Sequence, residues 1–156
     1  MVEPRRTLLA EMALRFVDQR ETLATASLGH VLAVSSVARD TVRGWLAERG
    51  VTGPDGLVYR TEVVDAVQEG RPDVVGAIGD TRHLILEGKF WAALTEAQPT
   101  GYLRSLQPGG CLLVVTPGLR FETVGAELAR RCQLAGLEMT DAGSLTRGGI
   151  TQVGEG

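Results

Sequence analysis

Apolar residues recur at helical spacing over Leu8, Leu9, Met12, Ala13 and Phe16, with Arg5, Arg6, Glu11, Arg15 and Asp18 mostly on other faces. This spacing predicts an amphipathic first helix. A second helical stretch carries Leu23, Ala24, Ser27, Leu28, Val31 and Leu32. A third starts at a Ser35-Ser36 cap, carries Val42, Trp45 and Leu46, and stops at Gly50. Gly53-Pro54-Asp55-Gly56 is a turn, after which the period shortens towards two. Val58 to Val64 is β-branched and loosely alternating, and two short apolar runs follow, Val74 to Ile78 and Leu84 to Leu86. Thr95 to Leu106 reads as a short helix, Leu112 to Val115 as a fully buried strand, and Phe121 to Ala135 as a helix ending at Gly136. Thr140 to Gly156 is rich in Gly and Thr with little apolar pattern, so it reads as a loop or a truncated tail. Helices, then an antiparallel hairpin set, then helix, strand and helix make an α/β fold with a mixed central sheet flanked by helices.

The two apolar runs acquire chemical meaning from the polar residues at their ends. Pro72-Asp73 precedes the first run, and Glu87-Gly88-Lys89 closes the second. Gly79-Asp80 supplies the turn, and counting outward from it places Asp73 and Glu87 near each other across two antiparallel strands. Glu87 and Lys89, two apart on a strand, share a face. Hard carboxylate oxygens suit Mg²⁺ or Mn²⁺, and a neighbouring ammonium can hold an attacking water or steady an anionic transition state, which is phosphodiester hydrolysis.

This arrangement resembles the PD-(D/E)XK nuclease superfamily. After Lys89 the chain continues to Leu94-Thr95, Gln98 and Tyr102-Leu103, similar to the QxxxY element of a bacterial subfamily. Upstream, Glu21, Thr25 and the Ser36 to Asp40 stretch are similar to that subfamily's opening, with Ala26 in place of a second acid and Val37 in place of a proline. The resemblance implies a restriction-endonuclease-like core with extra N-terminal helices and a DNA nuclease using Mg²⁺ or Mn²⁺. Asp73, Glu87, the Gly88 carbonyl and Glu21 would surround the metal, Lys89 would position or activate water, and Gln98 and Tyr102 would orient substrate or Lys89. DNA is the implied partner, with RNA the second polymer and a homodimer a possible assembly.

Each of these residues also has a plainer role. Pro-Asp can simply start a strand, and Glu87 with Lys89 can be a surface ion pair of little energetic value. Thr95 to Gln98 fits a capping box, which would engage the Gln98 amide, and Tyr102 can merely pack. Glu21 in a first helical turn is favoured by the helix dipole without further duty. His30 and His83 are isolated, with no second histidine at metal spacing. Arg104, Arg120, Arg130 and Arg131 are read as ordinary solvated groups that could reach phosphates.

Composition adds limits. At 156 residues, 44% hydrophobic and 22% charged, the chain makes one domain of 1–156, with a helical part over 1–50 and a core over 57–136. Cys111 and Cys132 are the only cysteines, which points to a reducing, cytoplasmic setting, and no apolar run is long enough to cross a bilayer. A net charge of -3 argues against a protein that coats nucleic acid indiscriminately, although bound metal reverses the field of an acidic site.

Two other function classes compete. Leu106 to Pro117 is similar to the strand entry of class I SAM-dependent methyltransferases, but no GxGxG loop for that cofactor is present. A catalytically idle nucleic-acid-binding or interaction module would keep the fold and lose the site, and the intact Asp73, Glu87 and Lys89 count against it.

Overall fold

The computed structural model describes residues 20–61, 71–96, 98–137 and 150–154. The helix expected over Leu8 to Phe16, and the continuation of the first strand to Val64, lie outside these residues. Among the described residues two helices come first, α1 (Arg20–Val34) and α2 (Ser36–Ala47). Ser35 caps α2 as its sequence position suggests, its hydroxyl accepting the N–H of Ala38 at 3.2 Å. Then follow β1 (Val58–Thr61), β2 (Val74–Ile78), β3 (Thr81–Gly88), α3 (Thr100–Ser105), β4 (Cys111–Val115), a 3₁₀ turn (Gly118–Arg120), α4 (Phe121–Leu134) and β5 (Ile150–Gly154).

The strands form one mixed sheet in the order β1-β2-β3-β4-β5. β1, β2 and β3 are an antiparallel meander, β4 joins β3 in parallel, and β5 pairs antiparallel with β4. Over Ile150–Gly154 a strand replaces the loop or tail read for Thr140 to Gly156, the rest of which lies outside the described residues. Its Thr, Gln and Gly residues give little apolar signal, and pairing with the buried β4 supplies what propensity does not.

Alternation along the strands sorts the core into two layers. Val75, Ala77, Ile85, Leu112 and Val114 pack with Tyr102 and Leu103 of α3 and with Val124, Leu128 and Cys132 of α4. Val74, Leu84, Leu86, Cys111, Leu113 and Tyr59 face the other way, onto Leu32 of α1 and Leu46 of α2. The sheet is therefore covered on both faces, which is why β4 reads as continuous apolar sequence. α1 lies close on β1 because position 29 is glycine: a Cβ there would stand 2.3 Å from Thr61 Cγ2.

One irregularity in the hairpin matters most. Next to the turn the pairs are Ile78 with Thr81 and Ala77 with Arg82, but beyond it Gly76 pairs with Leu84 and Val74 with Leu86. His83 is thus an extra residue, a β-bulge. An unbroken ladder counted outward from Gly79-Asp80 would bring Asp73 opposite Leu86 and leave Glu87 on the other face. The bulge moves the register by one residue, so that the ladder ends at Val74 with Leu86 and Asp73, just before β2, comes beside Glu87, to whose carboxylate it donates its N–H.

Candidate active site

Asp73 and Glu87 stand at the end of the β2–β3 hairpin remote from its turn, and each carboxylate accepts a backbone N–H from across the hairpin. The N–H of Gly88 donates to Asp73 Oδ2 at 2.7 Å, and the N–H of Asp73 donates to Glu87 Oε2 at 3.3 Å. A side chain at position 88 would spoil this crossing, since its Cβ would meet Thr25 Cγ2 at 2.5 Å and Asp73 Oδ2 at 3.4 Å. Thr25, a residue of α1 given no role from the sequence, is buried against this point, its hydroxyl donating to the Glu21 and Thr22 carbonyls.

The other oxygen of Glu87 gathers the remaining residues. Glu87 Oε1 lies 2.8 Å from Lys89 Nζ and accepts from Gln98 Nε2 at 2.7 Å. Gln98 Nε2 also donates to the Tyr102 hydroxyl at 2.9 Å. Glu87, Lys89, Gln98 and Tyr102 are all buried, so the Glu87 and Lys89 pair is no rim contact. Its charges are retained out of water because several hydrogen bonds converge on them.

Gln98 and Tyr102 reach the cluster differently from expectation. The helix predicted from Thr95 begins only at Thr100, and Gln98 precedes it. Proline at position 99 has no N–H to donate to the Thr95 carbonyl, which accepts the Gln98 N–H at 3.1 Å in a single tight turn, so the α-helix does not begin there. Gln98 serves two partners at once. Its Oε1 accepts the Thr95 N–H at 3.1 Å, which is half of the capping-box geometry without a helix, while its Nε2 turns to Glu87.

The electrostatics follow from burial. Burial pushes the Asp73 carboxyl above its ordinary range and the nearby Glu21 charge adds to this, with the Gly88 N–H and the Lys89 ammonium acting against it. Glu87 is also pushed up, by burial first and then by the Asp73 charge, more than Lys89 and its hydrogen bonds offset. Burial and the Glu87 charge keep the Tyr102 phenol protonated. Two crowded, half-neutralised carboxylates of this kind would be relieved by a divalent cation. Their hard oxygens suit Mg²⁺ or Mn²⁺, which commonly binds through one or two carboxylates and retains water.

Glu21 occupies the edge of this cluster and holds a loop. Its Oε1 accepts the N–H of Phe90 at 3.1 Å, and its Oε2 accepts those of Trp91 and Ala92, both at 3.2 Å. Among the described residues no group of three or more His, Cys, Asp or Glu side chains is arranged to hold a metal. The acidic centre is thus a pair, with Glu21 bonded to the backbone beside it.

Arg120 and Arg131, read as solvated, are tied to backbone instead. Arg120 donates to the carbonyls of Lys89 at 3.3 Å and Ala92 at 3.1 Å, and Thr116 donates its hydroxyl to Lys89 O at 2.9 Å. Arg131 donates to the carbonyls of Thr95 and, at 2.8 Å, Gln98. Nothing in local spacing marks these arginines or Thr116, because their partners lie on other elements. His30 is exposed on α1 and His83 is the bulge. The Pro108-Gly109-Gly110 segment is a turn into β4, with the Gly110 N–H donating to Gln107 O at 2.8 Å.

No protein-family model, curated protein or solved structure matches this chain. No helix among the described residues is long and apolar enough to cross a membrane.

Proposed function

We propose that this chain is a metal-dependent nuclease with a PD-(D/E)XK-type site, hydrolysing phosphodiester bonds of DNA. The observation that carries the reading is the convergence of Asp73, Glu87, Lys89, Gln98 and Tyr102 on one hydrogen-bonded cluster at the end of the hairpin.

Asp73 and Glu87 would hold Mg²⁺ or Mn²⁺, with the Gly88 carbonyl as the backbone ligand that the family resemblance implies. A bound cation supplies charge neutralisation at the phosphate and lowers the pKa of attached water. Lys89, 2.8 Å from Glu87 Oε1, would present its ammonium to the attacking water or to the phosphate oxygen. Gln98 fixes the Glu87 carboxylate by donating to Oε1, and Tyr102 lies behind Gln98 as its hydrogen-bond partner. Glu21 positions the loop after Lys89 through the Phe90, Trp91 and Ala92 amides.

The test is a cleavage assay on linear, circular and single-stranded DNA with Mg²⁺, Mn²⁺ or chelator, alongside calorimetry with each cation. Metal-dependent cleavage by the parent protein that disappears in Asp73→Asn is expected. Full activity in that variant, or binding of S-adenosylmethionine without metal, would end the nuclease reading.

A further inference from the structure

Trp91 leaves 63% of its surface in water, two positions beyond Lys89, on a loop fixed from both sides. Glu21 takes three successive amide hydrogens from one side, and Arg120 holds the carbonyls of Lys89 and Ala92 from the other. Its neighbour Phe90 packs against the Gly88 position beside Asp73. Phe90 Cε2 and Asp73 Oδ2 lie 3.1 and 3.4 Å from the position a Cβ on Gly88 would take, and the Phe90 ring centroid is 5.8 Å from that of Trp91. Phe90 thus lies between the Gly88 position, which Asp73 also meets, and the indole.

An indole is a large apolar surface that folding ordinarily buries. Here the backbone on each side is bonded down while the ring remains outside. We infer that Trp91 is a stacking platform for an unpaired base of single-stranded DNA whose phosphate occupies the site of Asp73, Glu87 and Lys89. A base within a duplex already has neighbours on both faces, whereas an unpaired base offers one to an aromatic side chain. Trp91 therefore discriminates strand from duplex. The phosphate placement rests on the nuclease reading; the stacking is measured by binding alone.

The experiment compares the full chain with Trp91→Ala and Trp91→Phe, titrated in Ca²⁺ with an oligothymidylate and with a blunt duplex, reading tryptophan emission and fluorescence anisotropy of labelled DNA. The second tryptophan, Trp45, lies under Arg49 at 4.1 Å and provides a constant background. Oligothymidylate should quench the parent emission, and Trp91→Ala should lose the quench and about tenfold in affinity, the order that base–aromatic stacking supplies. Trp91→Phe should recover most of the affinity, and duplex binding should stay within about twofold in all three proteins, since no free base face is presented. Equal oligothymidylate affinity in Trp91→Ala, or no binding by the parent, overturns the inference. Cleavage is scored separately in Mg²⁺: quenching without cleavage counts against the nuclease reading and upholds the stacking.

Discussion

Glu87 and Lys89 form a buried ion pair, with Nζ 2.8 Å from Oε1 and both side chains almost fully out of water. Removing either partner isolates the other in a low-dielectric site. The two carboxylates are therefore unequal. Asp73→Asn keeps an oxygen for the Gly88 N–H and removes a repulsive charge, while Glu87→Ala leaves the Lys89 ammonium uncompensated.

Urea denaturation in chelator should show this asymmetry. Glu87→Ala is expected to lose about 3–5 kcal/mol, the cost of breaking a buried pair from one side. Asp73→Asn should equal or exceed the parent in stability while losing metal binding. Equal stability losses in both variants would contradict the geometry.

Lys89→Met separates chemistry from metal binding. The variant removes the ammonium that competes for Glu87, so affinity for Mn²⁺ should hold or rise, while cleavage falls by about 10²–10⁴, the range for a lost acid–base group. Calorimetry with single-turnover kinetics reads both. Lost metal affinity would mean that Lys89 organises the carboxylates rather than the water.

A pH dependence follows from the raised carboxyls. Asp73 and Glu87 bind protons more tightly folded than unfolded, so their protonated forms favour folding. That contribution is present at low pH and is lost as pH rises from the ordinary carboxylate pKa through the raised one. The apo Tm of Asp73→Asn relative to the parent should accordingly increase as the pH rises from about 4, the unperturbed range for Asp. Saturating Mg²⁺ should stabilise the parent and leave the variant unmoved. A pH-independent difference between the two apo proteins would refute the assigned direction.

Gly88 leaves no room for a side chain beside Thr25. Gly88→Ala should destabilise by about 1–3 kcal/mol as an overpacked site. Thr25→Ser removes the methyl that the new Cβ would strike at 2.5 Å, so the double variant should recover part of the loss. Simple additivity in thermal melts would place the conflict elsewhere.

Glu21→Ala distinguishes a loop clamp from a metal ligand. With three amide hydrogens released, exchange at Phe90, Trp91 and Ala92 should accelerate, and stability should fall by about 1–3 kcal/mol. Mn²⁺ affinity should stay close to that of the parent. A large loss of affinity with unchanged amide exchange would return Glu21 to the metal shell.

The sequence by itself determined the elements whose cause is local. The Ser35 cap, the apolar run of β4, the periodic stretch of α4 ending before Gly136 and the two-residue turn at Gly79-Asp80 all depend on neighbours a few residues away. The parity of a strand likewise puts Glu87 and Lys89 on one face. Only the tertiary structure decided that Asp73 comes beside Glu87, because a one-residue bulge at His83 shifts the hairpin register and local letters do not mark it. Two long-range effects lie equally beyond local pattern. Gln98 reaches Glu87 from outside a helix, and the Glu21 carboxylate meets amides 69 to 71 residues away. Such contacts depend on how whole helices dock on the sheet, whereas periodicity records only the face that each element presents.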